Sequence, residues 1–142
     1  MKEITKIIIS GASGYCCADE AYNDKLTIEK NSISYSYKPI YESEINPVRK
    51  WSHKTNSPVF EKIFRDVISA LKTVEDANEL DFLCTDVGEI DFIVVFSDKS
   101  RWKKCFSCTG DDFSELIKII RKMVPEYEYM PAVLLLSEDF EE

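Results

Sequence analysis

One histidine, His53, serves all 142 residues, so any Cys–His or Ser–His–Asp nucleophile scheme has to run through it. Arginine is scarce as well. Only four of the 18 basic residues are arginine, which leaves few planar forks for bidentate anion binding. Positive charge of any kind is in deficit. The formal net charge of −8 argues against nucleic acid or anionic membrane as the main partner, because both need a basic face. Long apolar runs are missing too, and nothing approaches the ~20 residues of a membrane span. Lys2 and Lys6 are followed by only three isoleucines before Ser10 and Gly11, too short for the apolar region of a secretory signal. The expectation is a cytoplasmic protein without membrane contact. The cysteines (Cys16, Cys17, Cys84, Cys105 and Cys108) are odd in number, which points to free thiols rather than a disulfide framework.

What is present suits a single domain over residues 1–142, with a solvated acidic tail from about 137. An apolar content of 44%, with 12% aromatics, is enough for a core. Residues 4–10 read as a strand. Leu26 and Ile28 alternate with Lys25, Thr27 and Glu29, and Ile33, Tyr35 and Tyr37 alternate with Ser34, Ser36 and Lys38. Period two on both sides of Asn31 predicts an antiparallel hairpin with one polar face. Val48 to His53 reads as a further edge strand, and Phe82 to Thr85 as a short one. In Glu89 to Ser97, Ile93 and Val95 oppose Ile90, Phe92, Val94 and Phe96, which predicts a central strand covered on both faces. Arg101 to Ser107 follows after a turn.

Ser57-Pro58 opens a helix, with serine as N-cap and proline in the first turn. Its apolar face takes in Val59, Phe60, Ile63, Phe64, Val67, Ile68 and Leu71. A polar connection follows over 73–81. Asp112 and Glu115 are spaced as a capping box for a second helix, which Pro125 stops. Ala132 to Leu136 is apolar and reads as a possible last strand. The predicted fold class is α+β: a single antiparallel sheet of about 5–6 strands with two amphipathic helices, about 58–73 and 112–124, packed on one face.

The run Ile7-Ile8-Ile9-Ser10-Gly11-Ala12-Ser13-Gly14-Tyr15 resembles the opening of short-chain dehydrogenase-like Rossmann domains, where glycines bring the backbone to a pyrophosphate. That resemblance would imply a dinucleotide. It is read as a false lead, because Cys17 holds the third glycine position and the hairpin begins where a crossover helix should run. The glycines are expected to serve turn geometry, and no cofactor is expected. The order of elements over Lys6 to Lys38 and Thr85 to Val124 resembles small bacterial domains of unknown function, a resemblance that implies no activity.

Cys105-Phe106-Ser107-Cys108 is a CxxC, the spacing of a thioredoxin-like redox pair. Thr109, Gly110 and Asp111 separate it from the helix start, and in an extended strand its two thiols would point to opposite faces. Zinc would need two close ligand pairs, and the adjacent Cys16 and Cys17 strain that scheme, so no metal is expected. Arg49, Trp51 and His53 lie in a short basic stretch, Arg49 to Lys54, whose tryptophan suggests either a partner anchor or a charged edge strand with Trp51 over the core. The acid pairs Asp19-Glu20, Asp76-Glu79 and Asp111-Asp112 suit loops and helix starts better than general acid–base work. Tyr35, Tyr37 and Tyr41 suit either a core face or a ligand-binding one. The function expected is that of a non-catalytic protein-interaction module, inhibitor- or immunity-like, with Arg49, Trp51 and His53 touching another protein. The alternative is a thiol-dependent redox enzyme using Cys105 and Cys108.

Overall fold

A computed structural model describes residues 3–13, 21–79, 88–107 and 110–140. Six strands form one antiparallel sheet: β1 (Ile4–Ala12), β2 (Tyr22–Glu29), β3 (Ser32–Pro39), β4 (Arg49–Lys54), β5 (Glu89–Phe96) and β6 (Arg101–Phe106). Their order across the sheet is β4-β3-β2-β1-β5-β6. β1 is antiparallel to both β2 and β5. A dinucleotide-binding unit needs a parallel neighbour reached through a crossover helix, so the Rossmann-like start of the chain is a local likeness only.

Register sorts the side chains into rows across the sheet. Trp51, Tyr35, Leu26, Ile9, Phe92 and Lys104 form one row on the inner face. Arg49, Tyr37, Asp24, Gly11, Ile90 and Phe106 form the next. On the outer face, Ser52, Ser34, Thr27, Ile8, Ile93 and Lys103 share a row. Ile93 and Val95 are half-buried there, so β5 is not covered on both faces as its sequence suggested. Short hydroxyl side chains and cross-strand ion pairs such as Lys6–Glu29 (3.6 Å) make the outer face a solvated one. Both edge strands are lysine- and arginine-rich, which discourages edge-to-edge pairing.

The helices cover the inner face. α1 (Pro58–Ala70) starts where predicted, with the Ser57 hydroxyl accepting from the Val59 amide at 3.2 Å. Phe60, Phe64 and Val67 are its buried residues, whereas Val59 is 67% exposed and leaves the apolar face assigned to it. Beyond Leu71 the chain is not a loop. It forms the short helix α2 (Lys72–Asp76), which buries Val74. Lys104 reaches from the edge of the sheet to the carbonyls of Val74 (3.3 Å), Glu75 and Ala77 (2.8 Å), ending α2 with a cation. α3 (Ser114–Arg121) is preceded by a 3-10 turn, Gly110–Phe113, in place of the predicted capping box; Phe113 caps without a side-chain hydrogen bond. Asp111 instead accepts from the Ser137 amide at 3.1 Å.

One further expectation is corrected. Ala132–Leu134 is a 3-10 turn rather than a strand, and its following residues stay off the sheet edges. Ser137–Phe140, exposed at 137–139, is a further such turn, held by a two-pronged pair between Arg121 and Asp139 at 2.9 and 3.1 Å. The acidic end is therefore fastened to α3. The predicted strand Phe82 to Thr85 lies outside the described residues.

Gly11 is not in a turn. It sits within β1 opposite Asp24, and a Cβ there would lie 2.5 Å from Asp24 Oδ1 and 3.2 Å from Val133 Cγ2. Gly11→Ala should therefore destabilise the fold by about 2–4 kcal/mol, through overpacking and displaced hydrogen bonds. Urea denaturation will check this, with Ser10→Ala on the outer face of the same strand as a near-neutral control.

Candidate interaction site

The inner-face alternation that buries Leu26 and Ile28 also turns Asp24 inward, where it is only 5% exposed. A carboxyl in that position needs partners. The Tyr35 hydroxyl donates to Oδ2 at 2.7 Å, and the Val133 amide donates to the same oxygen at 3.0 Å. Tyr35 in turn accepts from the Ala132 amide at 3.1 Å. Oδ1 finds no well-aligned partner among the described residues. Burial raises the Asp24 pKa above the usual carboxylate range, opposed by the hydrogen bonds from Tyr35 and Val133 and by the nearby Gly11 backbone. Burial, then the charge of Asp24, raises the Tyr35 phenol far above its ordinary value. Together these bonds clamp the segment 131–136 across the sheet.

The clamp positions a second feature. Trp51 is buried, 8% exposed, beside Tyr35 (ring centroids 5.9 Å apart), and its indole N–H donates to the Tyr129 carbonyl at 3.1 Å. The Tyr129 ring lies over the Arg49 guanidinium at 4.8 Å, and Tyr37 flanks the same group at 5.3 Å. Tyr37 stacks on Tyr22 (5.0 Å) and donates its hydroxyl to the Asn46 side chain at 2.5 Å. Asn46 is buried and also donates to the Ala21 carbonyl, while the Ile40 amide bonds the same carbonyl at 2.8 Å. The connection 40–48 is thereby pinned to the sheet. Ile40, Tyr41, Ile45 and Val48 stand exposed on it, and Tyr127 and Tyr129 stand exposed on the segment whose Tyr129 ring meets Arg49. We call this region the corner.

Of the three residues expected to touch a partner, only Arg49 reaches the corner. Trp51 is a core residue that supports the corner from beneath, so its reading as a surface anchor is corrected. His53 is half-buried with its ring against Phe60, 6.3 Å between centroids. Cys105 is exposed on β6 opposite Asp91. Desolvation raises its pKa, and the hydrogen bond and charge of Asp91 add to the effect, the opposite of what an attacking thiolate requires. Cys108, Cys16, Cys17 and Cys84 lie outside the described residues.

A half-open cleft of about 290 Å³ lies at the Gly11 end of β1, lined by Ser10, Asn23, Asp24, Glu89 and Asp91 among others. Among the described residues, no three His, Cys, Asp or Glu side chains are grouped closely enough to hold a metal ion. No described helix is long and apolar enough to cross a membrane.

Set against known protein families and curated proteins, the sequence matches none. Function must therefore be argued from the corner and its supports.

Sequence reasoning missed Asp24 as the organising residue and, Tyr41 apart, missed the exposed residues of 40–48 and 127–129. The signal for Asp24 was available in the parity of β2. The corner had no comparable signal, because it is assembled from two irregular segments.

A folded-state pKa above that of the unfolded chain means that the native state holds the Asp24 proton more tightly. The stability this adds is complete below about pH 3.9 and is lost as pH rises through the raised native value. Urea titrations between about pH 4 and pH 8 should show wild type losing stability relative to Asp24→Asn as pH rises. Parallel curves would contradict this.

Proposed function

We propose that the protein is a non-catalytic interaction module that binds another protein through the corner. The observation that carries this reading is the placement of exposed apolar side chains. Seven large hydrophobic residues are exposed among the described residues, and six of them belong to 40–48 and 127–129. Single exposed apolar residues are ordinary, but a group concentrated in one region marks a binding surface. Tyrosine, isoleucine and arginine also suit the centre of an interface.

Rigidity supports the same reading. Asn46, Tyr37 and the Ala21 carbonyl hold the first segment, while Trp51 and the Asp24 clamp hold the second. A surface ordered before binding loses less conformational entropy on association. A small acidic domain with such a surface fits an inhibitor- or immunity-like role in the cytoplasm, where one rigid patch occupies a partner's site.

Photo-crosslinking tests the proposal. Benzoylphenylalanine placed at Ile45 or Tyr127 in the native cell should give discrete covalent adducts with another protein. The same probe at Thr27, on the outer sheet face, should give none. Equal labelling from Thr27, or no adduct from Ile45 and Tyr127, contradicts the assignment.

A further inference from the structure

We infer that the partner presents a basic segment to the corner, with lysine or arginine side chains interleaved with apolar ones; this rests on the reading of the corner as a protein-binding surface. The two segments alternate apolar and acidic residues. Tyr41, Glu42, Ser43, Glu44 and Ile45 run along one, and Glu126, Tyr127, Glu128 and Tyr129 along the other. None of these four glutamates has a lysine or arginine within ion-pair distance among the described residues. Elsewhere, Glu29, Glu61, Asp91, Glu138 and Asp139 each have one, while the exposed Asp66, Glu75 and Glu89 also have none among the described residues. What sets the four glutamates apart is that they are interleaved with exposed apolar side chains. The single cation within 40–49 and 125–131 is Arg49, and aromatic rings rather than a carboxylate flank it. The corner thus offers unpaired carboxylates beside exposed tyrosine faces, and both attract ammonium and guanidinium groups.

Charge complementarity also chooses between occupants. A second copy of this chain would bring the same four glutamates against themselves, and like charges brought together weaken an interface. An acidic or phosphorylated segment meets the same repulsion. A basic segment carrying leucine or tryptophan satisfies the carboxylates and covers Ile45, Tyr127 and Tyr129 together.

The test uses the full chain, ¹⁵N-labelled, titrated with a short peptide that alternates arginine with leucine and tryptophan. A second peptide carries glutamate in place of every arginine. The arginine peptide should shift the amides of 40–48 and 126–130. Its binding should weaken about tenfold or more in the double variant Glu42→Lys/Glu44→Lys, and it should weaken as salt is raised. These substitutions lie at exposed positions, and an unchanged spectrum elsewhere verifies folding. Equal or tighter binding of the glutamate peptide at the same amides overturns the basic-partner inference while leaving the corner as a binding surface. Shifts spread over Glu61 and Glu138 as strongly as over the corner overturn it as non-specific charge attraction. So does the absence of any shift at the corner with the arginine peptide. Concentration-dependent shifts of the corner without peptide overturn it in favour of self-association. Failure of the interaction reading itself shows separately, as loss of crosslinks from Ile45 and Tyr127.

Discussion

A single carboxyl oxygen, Asp24 Oδ2, joins the sheet to the segment 131–136. It accepts from Tyr35 in the neighbouring strand and from the Val133 amide 109 residues further along. Burying a carboxyl is unfavourable unless such bonds are made, so the site specifies one arrangement of 131–136 rather than a family of them. The surroundings accommodate it. Gly11 leaves room for the carboxyl, Val133 packs against the same space, and Tyr35 passes the network on to Ala132. With 131–136 fixed, the Tyr129 carbonyl meets the Trp51 indole and the Tyr129 ring meets Arg49. The proposed binding surface therefore depends on an interaction buried well beneath it.

Charge is distributed with a matching economy. Edge strands β4 and β6 carry lysine and arginine, and Lys104 closes the carbonyl end of α2. Arg121 fastens the acidic end of the chain through Asp139, whose pKa is lowered chiefly by that hydrogen bond. The four glutamates of the corner find no cation among the described residues, and they sit beside exposed apolar side chains. A net acidic charge spread evenly would serve solubility only. The interleaving of four glutamates with exposed tyrosines supports a directional role in recognition.

Much of the fold was legible in the sequence, for identifiable reasons. Period two in Leu26 to Tyr37 and the Ser57-Pro58 start are local signals, and both elements form where expected. Residues 132–136 were misread because a continuous apolar run fits a buried turn as well as a strand. The second helix begins two residues later, after a 3-10 turn, Gly110–Phe113, whose Asp111 accepts from the Ser137 amide, a contact no local window contains. For Trp51 the basic neighbours suggested either a partner anchor or an edge strand with the indole over the core. The second is observed, because in a strand alternate side chains face opposite sides. Gly11 was expected to serve a turn, yet it lies within β1. Only its register partner, Asp24, explains it.

Amide hydrogen exchange in Tyr35→Phe probes the dependence of the corner on the buried carboxyl most directly. Removing the hydroxyl takes one donor from Asp24 and one acceptor from Ala132. The account predicts faster exchange at the Val133 amide and the Trp51 indole, with β1, β5 and α3 unchanged. Unchanged exchange at both sites, or a uniform increase across the sheet, would contradict it.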